Sequence, residues 1–84
     1  MHTITLYSKD GCHLCEQLLH VLRPLADELG LHVLEVDITT DPALWQRFRY
    51  VIPVVATPTR AFFAPIDMDE LMEVLRDVNT WPIG

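Results

Sequence analysis

The stretch Thr3-Ile4-Thr5-Leu6-Tyr7-Ser8-Lys9-Asp10-Gly11-Cys12-His13-Leu14-Cys15 changes its hydrophobic rhythm once, around Gly11. Thr3 to Tyr7 alternates β-branched, aliphatic and aromatic residues, the period-two pattern of a strand. Ser8-Lys9-Asp10-Gly11 breaks that pattern. From Cys12 onward the apolar positions are Cys15, Leu18, Leu19, Leu22, Leu25, Ala26 and Leu29, which is the spacing of one helix face. Gly30 suits the C-cap of that helix. Pro24 conflicts with it, because proline removes a backbone donor and crowds the preceding turn. The pattern predicts a kink there, or a second short helix starting at Pro24.

The following segments read in the same way. Leu31 to Ile38 places Leu34, Val36 and Ile38 on one face and Glu35 and Asp37 on the other, a strand near a sheet edge. Asp41-Pro42 is an N-cap followed by proline at the first helical position, with Leu44, Trp45 and Phe48 as the apolar face. Pro53 to Ala56 and Arg60 to Phe63 are short strands joined by Thr57-Pro58-Thr59, an antiparallel hairpin. Asp67 and Glu70 suit a capping box ahead of a last helix that buries Met68, Leu71, Met72 and Leu75. Trp81-Pro82-Ile83-Gly84 carries no assignable pattern. The order is β-α-β-α-β-β-α. It predicts an α/β fold with a four-stranded mixed sheet and helices on both faces, one domain over residues 1–84.

Composition narrows the function. With 84 residues the chain can bury only a modest core, and its two cysteines, three apart, cannot staple a scaffold. Twelve acidic against six basic residues leave a net charge of −6. That balance argues against nucleic-acid binding, which needs a basic stripe, and against anionic membranes. No apolar run approaches the roughly 20 residues of a spanning helix. The first residues lack the basic start and apolar stretch of a signal peptide. A reducing cytoplasm is therefore the expected compartment, where a cysteine pair is more often reactive or metal-binding than structural.

Cys12-His13-Leu14-Cys15 is a C-x-x-C motif following a strand and opening a helix within a β-α-β unit, the signature of a thioredoxin-like redox site. Positions three apart on a helix share a face at roughly 5–6 Å, the separation that a disulfide bridges. The first cysteine meets the free N–H groups and positive end of the helix, which lower a thiol pKa; the second lies one turn deeper. Cys12 is thus the expected nucleophile and Cys15 the resolving thiol. Lys9 and His13 are nearby groups that could depress the Cys12 pKa further.

Tyr7-Ser8-Lys9-Asp10-Gly11-Cys12-His13-Leu14-Cys15 resembles the active-site segment of glutaredoxins, Tyr-Ser-Lys-x-x-Cys-Pro-Tyr-Cys. Ile52-Pro53 is similar to that family's hydrophobic residue and cis-proline at the start of the third strand. The resemblance implies a thioredoxin-type fold and dithiol exchange, with a shallow substrate groove over Cys12. Lys9, His13, Leu14, Ile52 and Pro53 would contact the substrate. It also implies a disulfide-containing protein or small thiol as substrate and glutathione or a reductase as electron donor. No bound organic cofactor and no metal are expected, and the protein is expected to be monomeric. Three features depart from the family: Leu14 replaces a tyrosine, His13 replaces a proline, and Ala64-Pro65-Ile66-Asp67 lacks the Gly-Gly pair that cradles the γ-glutamyl end of glutathione. Glutathione-dependent activity is accordingly expected to be weak, with an extended protein disulfide as the better substrate.

Other readings of the same residues stand beside these. The cysteines could form half of a zinc site with His13 or His20, or hold an iron–sulfur cluster between two chains, making the protein an interaction module; they could also be inert. Zinc needs four ligands, and no second C-x-x-C or H-x-x-x-H follows. Lys9 could be a solvated loop lysine, His13 an exposed bystander, and Asp37 a turn residue. Arg47 and Arg49 could attract an anionic thiol or merely decorate a helix, whereas Trp45 and Phe48 are expected in the core.

Overall fold

The computed structural model describes residues 2–82. Among them, strands β1 (His2–Ser8), β2 (Leu31–Asp37), β3 (Val54–Ala56) and β4 (Ala61–Phe63) alternate with helices α1 (His13–Leu29), α2 (Pro42–Phe48) and α3 (Met68–Arg76). One four-stranded sheet forms in the order β2-β1-β3-β4. β1 and β2 run parallel, from His2 opposite Leu31 to Ser8 opposite Asp37, as a helical crossover requires. β3 runs antiparallel to β1, with Val54 opposite Tyr7, and β4 completes the hairpin with Phe63 opposite Val54. This is the expected α/β mixed sheet, and β2 lies at the expected edge. No helix among the described residues is long and apolar enough to cross a membrane.

Two apolar clusters flank the sheet. Ile4, Leu6 and Val55 pack with Leu22 of α1 and Leu71 and Leu75 of α3 on one face. Ile38, Phe48 and Val54, with Tyr7 and Trp45 against them, form the cluster under α2 on the other. Phe48 is buried as expected. Trp45 is only half-buried, packed against that cluster from its outer side.

Pro24 neither divides α1 nor starts a new helix: one helix of 17 residues runs through it. Pro24 is exposed, about 200° around the axis from buried Leu22, so the carbonyl it leaves unpaired faces water. The buried stripe Leu18-Leu22-Ala26 holds the helix to the sheet across the missing bond. Gly30 caps α1 as expected, with a left-handed φ of 71°.

β2 corrects the expected alternation. Leu31 and Val33 join the larger cluster, Leu34 is exposed, and Ile38 is buried in a 3₁₀ turn (Ile38–Thr40) after the strand. The strand buries the opposite parity at its start: Leu31 and Val33 face the α1 side while His32 and Leu34 face solvent, so the single-face reading selected the wrong set. The expected capping box is half present. The Asp67 carboxylate accepts from the N–H of Asp69 and Glu70, but Glu70 turns away to Arg60, 3.3 Å distant. The hairpin strands are each one residue shorter at their start than read.

The unassigned tail supplies a core residue. After a second 3₁₀ turn (Val78–Thr80), Trp81 is buried at 4% exposure. Its indole N–H donates to the Val74 carbonyl at 3.2 Å and its ring meets His2 edge-on at 5.6 Å. Ile83 and Gly84 lie outside the described residues.

Candidate active site

The chain leaves β1 at Ser8 and must turn tightly before α1 starts. Gly11 permits the turn with a φ of 76°, a region that disfavours side chains, and the Cys12 N–H returns to the Lys9 carbonyl at 3.4 Å. Cys12 is then the N-cap of α1 in extended conformation. Its sulfur accepts the Cys15 N–H at 3.2 Å, taking the place an N-cap oxygen usually occupies. Cys12 and Cys15 are disulfide-bonded, with Cα atoms 5.3 Å apart. Cys15 is buried at 3% exposure, whereas Cys12 is half-buried and reachable from outside. The spacing therefore does what the sequence implied: one sulfur at the helix end and the other a turn deeper.

Two different surfaces lie beside the first turn of α1. On one side a polar cleft of about 230 Å³ is lined by Ser8, Lys9, Cys15, Glu16, Glu35 and Asp37. Ser8 is buried, and its hydroxyl donates to Glu35 at 3.5 Å; Glu35 is also 3.6 Å from Arg23. Asp37 caps the 3₁₀ turn, accepting from the Thr39 hydroxyl at 2.7 Å and the Thr39 N–H at 2.8 Å. Those bonds, the hydroxyl first, hold its carboxyl below the usual range. Asp37 is thus the turn residue that one reading made it.

On the other side an apolar groove of about 590 Å³ runs between α1 and α3. Leu14 and Pro53, both anticipated at the site, line it together with Ala64, Pro65 and Ile66. The Ile52–Pro53 bond is cis, as the motif implied, and the Ala64–Pro65 bond is cis as well, which no signal in the sequence announced. The β1–β3 ladder ends at Tyr7 and Val54, so Ile52 and Pro53 lie beyond it at the level of the Ser8 turn. Ile52 is half-buried against the α2 cluster.

The remaining anticipated residues are dispersed. The Lys9 ammonium lies 5.7 Å from the centre of the Trp45 ring, a cation held at the rim of the site. His13 is almost fully exposed, with Nδ1 3.9 Å from Glu16, and lines neither the cleft nor the groove. Arg47 and Arg49 stack over Phe48 and Tyr50 on the α2 side, at 5.2 and 4.6 Å. Sequence reasoning missed Glu35 as a member of the cleft, together with the groove walls Val21, Met68 and Met72. A usable signal existed: Leu14 and Val21 are large aliphatics that fall off the buried 15-18-22-26 stripe of α1.

A strand, a tight turn and a helix capped by the first cysteine of a C-x-x-C pair, with a cis-proline just before β3, define a glutaredoxin-like protein of thioredoxin-type fold. Residues 3–76 match the family described as Glutaredoxin-like domain (DUF836), and the chain belongs to it. Among solved structures it is similar to the X-ray structure of Northeast Structural Genomics target protein XcR50 from X. campestris. The two are 32% identical over 88% of this chain and 96% of that one, with a TM-score of 0.70. No curated protein matches.

Proposed function

We propose that this protein is a thiol–disulfide oxidoreductase that reduces protein disulfides through Cys12 and Cys15. The observation that carries the reading is the asymmetry of the pair: an accessible sulfur at the N-terminus of α1 and a buried one beneath it, within bonding distance. In the reduced protein the Cys12 thiolate attacks one sulfur of the substrate disulfide, forming a mixed disulfide and expelling the other sulfur as a thiolate. Cys15, once deprotonated, attacks the Cys12 sulfur, releases the second substrate thiolate and forms the Cys12–Cys15 bond. Two electrons pass from the dithiol to the substrate. Glutathione or a reductase returns them, in a monomer working in the cytoplasm. The helix N-terminus and the Cys15 N–H favour the anionic form of the Cys12 sulfur.

The test is a pair of variants assayed on a protein disulfide. Cys12→Ser should abolish turnover, and Cys15→Ser should accumulate a mixed disulfide through Cys12. Activity retained by Cys12→Ser, or a substrate trapped on Cys15, would overturn the assignment. Iron or zinc bound at one equivalent per pair in protein purified under reducing conditions would point instead to an interaction module.

A further inference from the structure

The apolar groove carries more than the redox reading uses. Leu14 and Val21 stand 62% and 51% exposed on α1, two helical turns apart, roughly 10 Å along the axis. Met68 and Met72, one turn apart on α3, form the opposite wall. Large aliphatic side chains held open to water in one hollow mark an interaction surface rather than a packing fault. The groove begins beside the disulfide, since Leu14 follows Cys12 by two residues and Pro53 lies at the level of the Ser8 turn. No Asp, Glu, Lys, Arg or His lines it. Beyond Met72 it changes character. That residue also borders a second hollow whose other walls are Asp69, Glu73, Arg76 and Asp77, three carboxylates against one guanidinium.

We infer that this groove seats a polypeptide that carries an apolar side chain next to its reactive cysteine and a lysine or arginine a few residues beyond. The reactive cysteine of that polypeptide rests on the oxidoreductase reading above; the binding surface stands independently of it. Each part of the occupant answers to a part of the surface. The uncharged walls take an aliphatic or aromatic side chain and offer no cation to the carboxylates of glutathione. A run of roughly 10 Å matches about three extended residues. The acidic hollow at the far end complements a basic side chain and, with the net charge of −6, draws basic segments in. A second copy of this chain would bring the same acidic rim against itself, which disfavours self-association through this face. Two flexible methionines let the wall adapt to side chains of different shape, which suits several partners of one chemical type.

The test uses the oxidised full chain, isotope-labelled for NMR, and a short redox-inert peptide. The peptide has Leu-Val beside a serine in place of cysteine and a lysine two residues further on. Amide shifts should concentrate at Leu14, Val21, Met68, Asp69 and Met72. Replacing Leu-Val by Ser-Ser should weaken binding about tenfold, as should Val21→Asp, whose fold the same spectra report. Changing the peptide lysine to glutamate should weaken it several-fold at low salt and less at high salt. Shifts elsewhere, or equal affinity for the Ser-Ser peptide, would overturn the inference. So would groove shifts produced by glutathione disulfide alone, or by raising the protein concentration without peptide. The two readings fail separately. Peptide binding without turnover of the matching disulfide would sink the oxidoreductase and leave the groove; turnover indifferent to the flanking residues would do the reverse.

Discussion

Trp81 gives the sharpest stability prediction, because its surroundings separate burial from hydrogen bonding. The side chain is 4% exposed, packs with the α1–α3 cluster, and donates its indole N–H to the Val74 carbonyl at 3.2 Å. Trp81→Ala removes the ring and leaves a cavity, a change that costs about 3–5 kcal/mol in other cores. A domain of this length has only about 4–12 kcal/mol in hand. At about 4–8 °C per kcal/mol, the midpoint should fall by roughly 12–40 °C. Trp81→Phe keeps most of the ring and loses the indole N–H. The Val74 carbonyl also accepts the Asp77 N–H at 3.2 Å, so it is not left unpaired, and the cost should stay at about 1–2 kcal/mol. Urea unfolding followed by far-UV circular dichroism measures both, since the signal does not depend on the missing tryptophan. An alanine variant within about 1 kcal/mol of the parent, at unchanged slope, would refute the placement of Trp81 in the cooperative core.

Gly30→Ala should destabilise by about 1 kcal/mol from backbone conformation alone, since a Cβ there meets nothing within 4 Å while φ is +71°; a neutral result in the same urea assay would argue against the left-handed cap. For Asp37 the pH dependence has a definite sign. Its depressed carboxyl stabilises the fold above the ordinary carboxylate pKa, and that contribution is lost as pH falls through the depressed folded value. The Asp37→Asn variant should therefore be less stable than the parent at neutral pH and converge with it in acid; a gap that is the same at both pH values would contradict the hydrogen bonds to Thr39. Reduction of a glutathione mixed disulfide should be slow beside that of an extended protein disulfide. Arg47 lies over Phe48 and Arg60 is engaged with Glu70 and Phe62, so robust glutathione turnover surviving Arg47→Ala and Arg60→Ala would show that other groups hold the tripeptide.

Legibility in the sequence followed the range of the forces involved. Strand β1, the length of α1 up to Gly30, and the Asp41-Pro42 start of α2 are written in local periodicity and capping, and they stand where those signals put them. Errors arose wherever a distant packing partner outweighed a local rule. Pro24 could start a second helix on backbone grounds, yet α1 runs through it, because the burial of Leu18, Leu22 and Ala26 against the sheet outweighs one missing hydrogen bond on the exposed side. β2 alternates convincingly in one register, but α1 covers the face that carries Leu31 and Val33, and Leu34 on the other face stays exposed. Trp81 had no periodicity around it at all. It is fixed by a cavity between α3 and β1 that exists only after the rest has folded.

The site divides along the same line. The disulfide geometry belongs to four consecutive residues and a helix start, so a short motif sufficed to find it, together with its orientation: accessible Cys12 above buried Cys15. The surfaces on either side belong to no motif. The polar cleft sets Glu35 of β2 and Cys15 of α1 around one hollow, a juxtaposition made possible by the parallel pairing of Ser8 with Asp37. The apolar groove gathers residues from α1, the start of β3, the loop after β4 and α3. On the proposed oxidoreductase reading, thiol exchange needs only the motif, and selecting a partner needs the groove. On the same proposed reading a chain can keep the first while changing Leu14, Pro65 or Met72 one residue at a time, and each change would redirect which disulfide is met without altering how it is broken. On that argument the partner is to be sought through the groove's chemistry, apolar and then acidic, and the cysteines say nothing about it.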